Sequence, residues 1–133
     1  MTDQEFADAV AHLGMLHGPY KDFPAADVRH MAPKGWWGIL ARLMVDLHRM
    51  GWDGTLSQVK EKFGGLRFYV GPSTVDIHDR VDEAEGESLK TCEECGSPGH
   101  PRAGGWVLTL CDEHAFNSGP VKESHLREME WEE

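Results

Sequence analysis

Cys92-Glu-Glu-Cys95-Gly and Cys111-Asp-Glu-His114-Ala set out two pairs of soft-metal donors, each pair separated by two residues, with fifteen residues between Cys95 and Cys111. In each pair a tight turn aims two ligand atoms at one point, and Gly96 relieves the backbone where it curls around the metal. Three thiolates and one imidazole fill the four tetrahedral positions of Zn2+, so the spacing predicts one structural zinc ion held by Cys92, Cys95, Cys111 and His114 in a zinc-ribbon-like module. The competing reading is three unrelated buried cysteines and a surface histidine. All three cysteines of the chain fall within the pattern, which disfavours it. His100 lies near the first pair and is an alternative fourth ligand, but it sits in the loop 97–101 rather than in a second knuckle.

A site closed by four protein ligands has no position for an activated water, so the metal is expected to be structural and no residue is assigned a catalytic role. A nucleic-acid deaminase needs His-x-Glu ahead of a Pro-Cys-x-x-Cys run, and neither the His-x-Glu nor a proline before Cys92 is present. An Asp-His pair between the knuckles, expected of a His-Asn-His nuclease, is missing from residues 101–110, and there is no nucleophile elbow, phosphate-cradling loop or His-Glu-x-x-His.

The second group with chemical potential is cationic. Residues 58–70 alternate as strands do and are interrupted by Gly64-Gly65, which predicts a β-hairpin turning on those two glycines. In that register Lys62 stands opposite Arg67 and Lys60 opposite Tyr69. One face is then mostly apolar, with Glu61 the exception, and the other carries Lys60, Lys62, Arg67 and Tyr69. Like charges facing each other need an anion, nearby carboxylates or salt, so these four residues are a candidate anion site. The alternative is neutralisation by the carboxylates of the following helix.

Helices must hold these parts. Thr2-Asp3-Gln4-Glu5 has the capping-box pattern, followed by Phe6, Val10 and Leu13 at helical spacing. Residues 20–34 contain Pro24 and Pro33 with little periodicity and read as loop, with a short turn at 25–28. Trp36, Leu40, Leu43, Leu47 and Met50 form one stripe of an amphipathic helix over residues 35 to 50, and Trp37 and Met44 broaden its core face. Ser73 or Thr74 caps a third helix whose inward stripe is Ile77, Val81, Ala84 and Ser88. A strand is expected at 106–110. The fold class is therefore α+β: a helix, β-hairpin and helix domain over 1–90, a zinc-ribbon-like module over 91–116, and an acidic tail over 117–133 with Leu126, Met129 and Trp131 available to anchor it. Trp37, Trp52 and Trp131 are the aromatics expected to stay exposed.

The 133-residue chain has a net charge of −10, and its placement is uneven. Residues 1–70 carry eight Lys/Arg and eight Asp/Glu, whereas residues 71–133 carry five against fifteen, so the whole excess lies in the second half. That half repels nucleic acid and anionic membranes and attracts basic partners. No apolar stretch has the length of a bilayer span, and three cysteines suited to metal fit a reducing compartment, so a cytoplasmic location is expected.

Gly35-Trp36-Trp37, the run from Val59 through Lys-Glu-Lys-Phe-Gly-Gly-Leu-Arg-Phe to Tyr69, Ala84-Glu85 with Ser88, and the knuckles with Gly99, Gly105-Trp106 and Thr109 together cover about residues 35 to 115. In these features the chain resembles a group of small zinc-ribbon proteins encoded by phages and prophages. The resemblance supplies no activity. It implies a phage or prophage origin, the cytoplasm of a host cell as location, and action by binding host components. The leading expectation is thus a non-catalytic binder or inhibitor of a host nucleic-acid-handling or defence protein with a basic surface, docked through Asp79, Asp82 and Glu83 of the third helix. A nucleotide or other small phosphate ligand at the hairpin, bound or acted on there, is the second expectation. Direct nucleic-acid binding through the zinc ribbon comes last, because Glu93, Glu94, Asp112 and Glu113 make that module acidic.

Overall fold

The computed structural model describes residues 1–103 and 105–115, and the fold is α+β. The acidic tail and Trp131 lie outside the described residues. Helix α1 spans Asp3–Val10, α2 Trp37–Arg49 and α3 Val75–Ser88; strands β1 (Gln58–Lys62) and β2 (Gly65–Tyr69) form one antiparallel hairpin, and β3 (His100–Pro101) and β4 (Thr109–Leu110) a second, shorter one. No helix among the described residues is long and apolar enough to cross a membrane.

The capping box forms at α1: the Thr2 hydroxyl accepts from the Glu5 N–H and the Glu5 carboxylate accepts from the Thr2 N–H. Phe6 and Val10 are thereby turned inward onto α2. Helix α2 is the centre of the molecule. Trp36, Leu40, Leu43 and Leu47 are fully buried as their spacing predicts, and Ile39, Ala41 and Met44 are buried beside them, so only a narrow strip bearing Arg42, His48 and Arg49 meets water. Met50, expected on the inward stripe, lies beyond the last turn and is exposed.

Residues 18–36 depart from the expected loop. They contain 3-10 helices at Gly18–Tyr20, Ala25–Met31 and Lys34–Trp36. Ala25, Val28 and Met31 recur every three residues, the period of a 3-10 helix, so a search for 3.6-residue periodicity passes over them. Ala25 and Val28 are buried and Met31 packs against the core.

The hairpin turns one residue earlier than expected. Phe63 and Gly64 are the two central residues, both at positive φ (54° and 81°), as a type I′ turn requires. The pairs are Gln58 with Tyr69, Val59 with Phe68, Lys60 with Arg67, Glu61 with Leu66 and Lys62 with Gly65. Lys60, not Lys62, therefore faces Arg67. Moving a turn by one residue shifts the pairing by two, so both faces keep their members; only Phe63 leaves the apolar face. The glycines divide the work. Gly64 supplies the left-handed backbone and lies where a Cβ would come 2.9 Å from Thr109 Oγ1, while Gly65 packs in the strand against Leu89.

Helix α3 caps on Thr74 and buries Ile77, Ala84 and Ser88, with Val81 packed at the edge of the core. Ser88 is a joint between elements: its hydroxyl accepts from the Leu66 N–H of β2 at 2.8 Å and donates to the Glu85 carbonyl. The expected strand at 106–110 contracts to Thr109–Leu110, and Trp106 sits in a bend.

Candidate metal centre and adjoining surfaces

Each knuckle is a single turn closed by its own backbone. Gly96 N–H donates to the Cys92 carbonyl at 3.0 Å with Gly96 at φ +80°, and the Ala115 N–H donates to the Cys111 carbonyl at 2.9 Å. The short β3–β4 pair brings the second turn back to the first. As a result the ligand atoms of Cys92, Cys95, Cys111 and His114 all lie within 4.8 Å of one another, the one such group of metal-ligating side chains among the described residues. Cys95 Sγ is 3.7 Å from Cys111 Sγ, and His114 Nδ1 is 3.2 Å from Cys111 Sγ and 3.7 Å from Cys92 Sγ. Thiolates at 2.3 Å from a tetrahedral metal stand about 3.8 Å apart, and a thiolate and an imidazole nitrogen about 3.5 Å apart, so these separations fit a metal ion at the centre. His114 presents Nδ1, a choice of atom that spacing alone does not fix. His100 is in β3 and outside the group.

The Ser97 hydroxyl and backbone N–H lower the Cys95 thiol to about 6, which prepares it as a thiolate ligand. Cys111 is raised on balance: the His114 N–H, the strongest single influence, lowers it, but burial and the neighbouring sulfurs of Cys95 and Cys92 outweigh this.

Several residues support the centre through contacts that their spacing does not reveal. Gly35 N–H donates to the Glu93 carbonyl at 2.7 Å, and Trp36 Nε1 donates to the Thr91 carbonyl at 2.8 Å, so the start of α2 lies directly on the first knuckle. Glu93, between the two cysteines, turns inward and accepts from the Thr109 N–H at 2.7 Å. Burial, reinforced by Glu61 and Glu94, pushes its carboxyl up to about 7 against the lowering effect of that hydrogen bond. Arg102 is buried, donates to the Leu110 carbonyl and pairs with Asp112 at 3.0 Å, so of the acids that make the module look acidic Glu93 is hydrogen-bonded inside it and Asp112 is paired with a cation. Thr109 Oγ1 donates to the Gly64 carbonyl at 2.6 Å and fastens the module to the hairpin turn.

The four candidate anion-binding residues share the outer face of the hairpin but do not line one cleft. Arg67 pairs with Glu85 of α3 at 2.7 Å, which is neutralisation by the following helix. Arg67 and Tyr69 line a groove of about 350 Å³ together with His78, Asp82 and Glu85, so its polar wall is mixed in charge. Lys60 stays on the outer face opposite Arg67, and Lys62 lines a different cleft at the hairpin tip. Glu61, the carboxylate out of place on the apolar face, accepts from the Gly64 N–H at 2.9 Å and so braces the turn.

On α3 the acids fall into two sets. Glu85 and Glu87 pair with Arg67 and Arg42, and Arg80 pairs with Asp46 of α2 at 2.9 Å, with Glu83 only at 4.0 Å. Asp76, Asp79, Asp82 and Glu83 are exposed, and the first three have no ion-pair partner among the described residues. The aromatic surface also differs from expectation. Trp37 (8% exposed) and Trp52 (6%) are buried, their indole N–H groups donating to the carbonyls of Arg29 and Thr55. A buried indole is stable once its one donor is satisfied by backbone, and both are. Among the described residues the exposed aromatics are Phe63 (66%) and Trp106 (75%), with Tyr69 less so. Compared with known protein families, curated proteins and solved structures, the chain matches none.

Proposed function

We propose that the protein is a non-catalytic, zinc-stabilised binding protein that docks on a basic surface of a protein partner through the outer face of α3. Three thiolates and an imidazole at tetrahedral spacing are the donor set that zinc favours, and with all four positions filled by protein the metal serves the fold. The observation that carries the docking reading is the division of acids on α3. Arg67 of the hairpin and Arg42 of α2 pair with Glu85 and Glu87, and Arg80 of α3 itself pairs with Asp46, so Asp76, Asp79 and Asp82 pair with none of these arginines and remain exposed beside Glu83. Unpaired like charges on one helix cost tenths of a kcal/mol each and supply electrostatic attraction to a basic groove. The resemblance to phage and prophage proteins suggests a host component that handles nucleic acid or mediates defence as that partner, inhibited by occupation of its basic groove in the host cytoplasm.

The test is capture of host protein on the immobilised full chain, compared with Asp79→Asn/Asp82→Asn/Glu83→Gln. A stoichiometric protein that is released as salt rises, and lost in the triple variant at unchanged melting temperature and zinc content, is the expected result. Binding that survives both the substitutions and high salt rejects the proposal.

A further inference from the structure

The hairpin tip and the segment before β4 enclose a cleft of about 230 Å³ lined by Glu61, Lys62, Phe63, Gly105, Trp106 and Val107. Its construction is unusual in three respects. Phe63 occupies the first central position of a type I′ turn at φ +54°, where Asn, Asp or Gly is suited and an aromatic residue is strained. Phe63 and Trp106, the two most exposed aromatics among the described residues, stand in the walls of this one cleft. The tip is also held rigidly: the Gly64 carbonyl accepts from Thr109 Oγ1, its N–H donates to Glu61, and Thr109 is itself fixed by Glu93. Neither the strain nor the exposure serves the fold, since the turn needs only the left-handed backbone and the core closes without either ring.

From this arrangement we infer that the cleft binds a nucleobase together with its attached phosphate. Two exposed aromatic rings in the walls of a small preformed cleft offer faces on which a planar ring stacks, and every base has such a face. The volume admits one ring system and not a longer segment. Lys62 of the lining supplies the charge: its Nζ lies 5.5 Å from the centroid of the Phe63 ring, the Glu61 carboxylate of the same lining is engaged by the Gly64 N–H, and Lys60 lies two residues away on the same face of β1. Arg67, the next cation, is neutralised by Glu85, so the positive field is limited to these two lysines and suits a single phosphate. The excess of carboxylates beyond residue 70 opposes a long polyanion. Stacking therefore carries the affinity and one phosphate contact orients it. This site is separate from the α3 face and stands whether or not that face docks a protein.

Two ligands share this chemistry, a free mononucleotide and the exposed end of a single strand. The experiment titrates the full metal-loaded chain with thymidine monophosphate by calorimetry and with a fluorescently labelled eight-residue oligothymidylate by anisotropy. Saturable binding of either probe below about 1 mM is expected. Equal affinity per molecule identifies the free nucleotide as the ligand, and preference for the oligomer identifies the strand end. Trp106→Ala should weaken binding by about tenfold or more. Phe63→Asn should weaken it while raising the melting temperature, because asparagine accepts the left-handed turn. Lys62→Gln should weaken it and flatten its salt dependence. Both ring positions are exposed, so loss of binding at an unchanged or raised melting temperature is not a folding defect. Absence of binding by both probes, or variants at Phe63 and Trp106 that bind as tightly as the native chain, overturns the inference.

Discussion

A Cβ at Gly35 would overlap the Cys92 carbonyl oxygen and stand 2.6 Å from that of Glu93. The glycine is required there because the backbone of one element lies against that of another, and its own N–H is the bond that joins them. Gly35→Ala must therefore drive the start of α2 away from the first knuckle and break both that bond and the one from Trp36 Nε1 to Thr91. The expected cost is about 3 kcal/mol or more, a fall of roughly 10 °C in melting temperature, together with weaker retention of metal. Thermal denaturation and metal titration check both effects. Gly38→Ala, where the nearest atom would be a movable Arg42 side chain at 3.4 Å, is the comparison that should leave stability nearly unchanged. Glu93 and Arg102 make a related point about charge, since sequence counts each as a surface residue while burial and hydrogen bonds place them in the support of β4.

At the level of elements, α3 and β2 are tied through Ser88, whose hydroxyl satisfies the buried Leu66 N–H. Ser88→Ala leaves that donor without a partner in a site closed to water, and the expected loss is about 1–3 kcal/mol, read as a lower midpoint in urea with unchanged slope. The elements that sequence made legible are those with a signal confined to one short segment: the capping box of α1, the apolar stripe of α2, the cap on Thr74, and the paired knuckles. Those it misplaced depend on competition between neighbouring registers or on long-range contacts. Gly64-Gly65 is the better local turn, yet Phe63-Gly64 is used because Gly64 must pass beneath Thr109 and Gly65 must pack on Leu89. The exposure of Trp106 and the burial of Trp52 likewise follow from packing across the chain, which composition and periodicity do not encode, whereas helical spacing places Trp37 beside the buried stripe of α2. Of the candidate site residues, the four metal ligands were legible because two-residue spacing specifies their convergence, whereas the cations of the hairpin depended on a register that moved.

On the scale of the whole molecule, the metal centre is not an appendage. The Gly35 N–H and the Trp36 indole reach residues 93 and 91, and Thr109 holds the Gly64 turn, so hydrogen bonds run from the knuckles to both α2 and the hairpin. Gly99 adds steric closure within the centre, since a Cβ there would come within 3.0 Å of Cys92 and Cys111 backbone. Among the described residues the buried apolar groups of the centre are Cys92, Leu110 and Cys111, with Leu108 and Ala115 packed at its edge, too little apolar surface to fold alone. The binding free energy of a metal held by this cluster would be folding free energy for this part, and because the contacts are shared it would also stabilise the body. The prediction is that the metal-loaded protein unfolds in one calorimetric transition, and that a chelator, or Cys95→Ser, lowers the melting temperature of that transition instead of removing a separate, smaller one. The burial of Trp36, whose indole nitrogen depends on Thr91, provides an internal probe: its fluorescence should change with metal loss, before global unfolding. A chelated protein whose main transition stays at the original temperature would mean that residues 1–90 stand without the centre, and that the bonds from Gly35, Trp36 and Thr109 contribute nothing to the stability of the body.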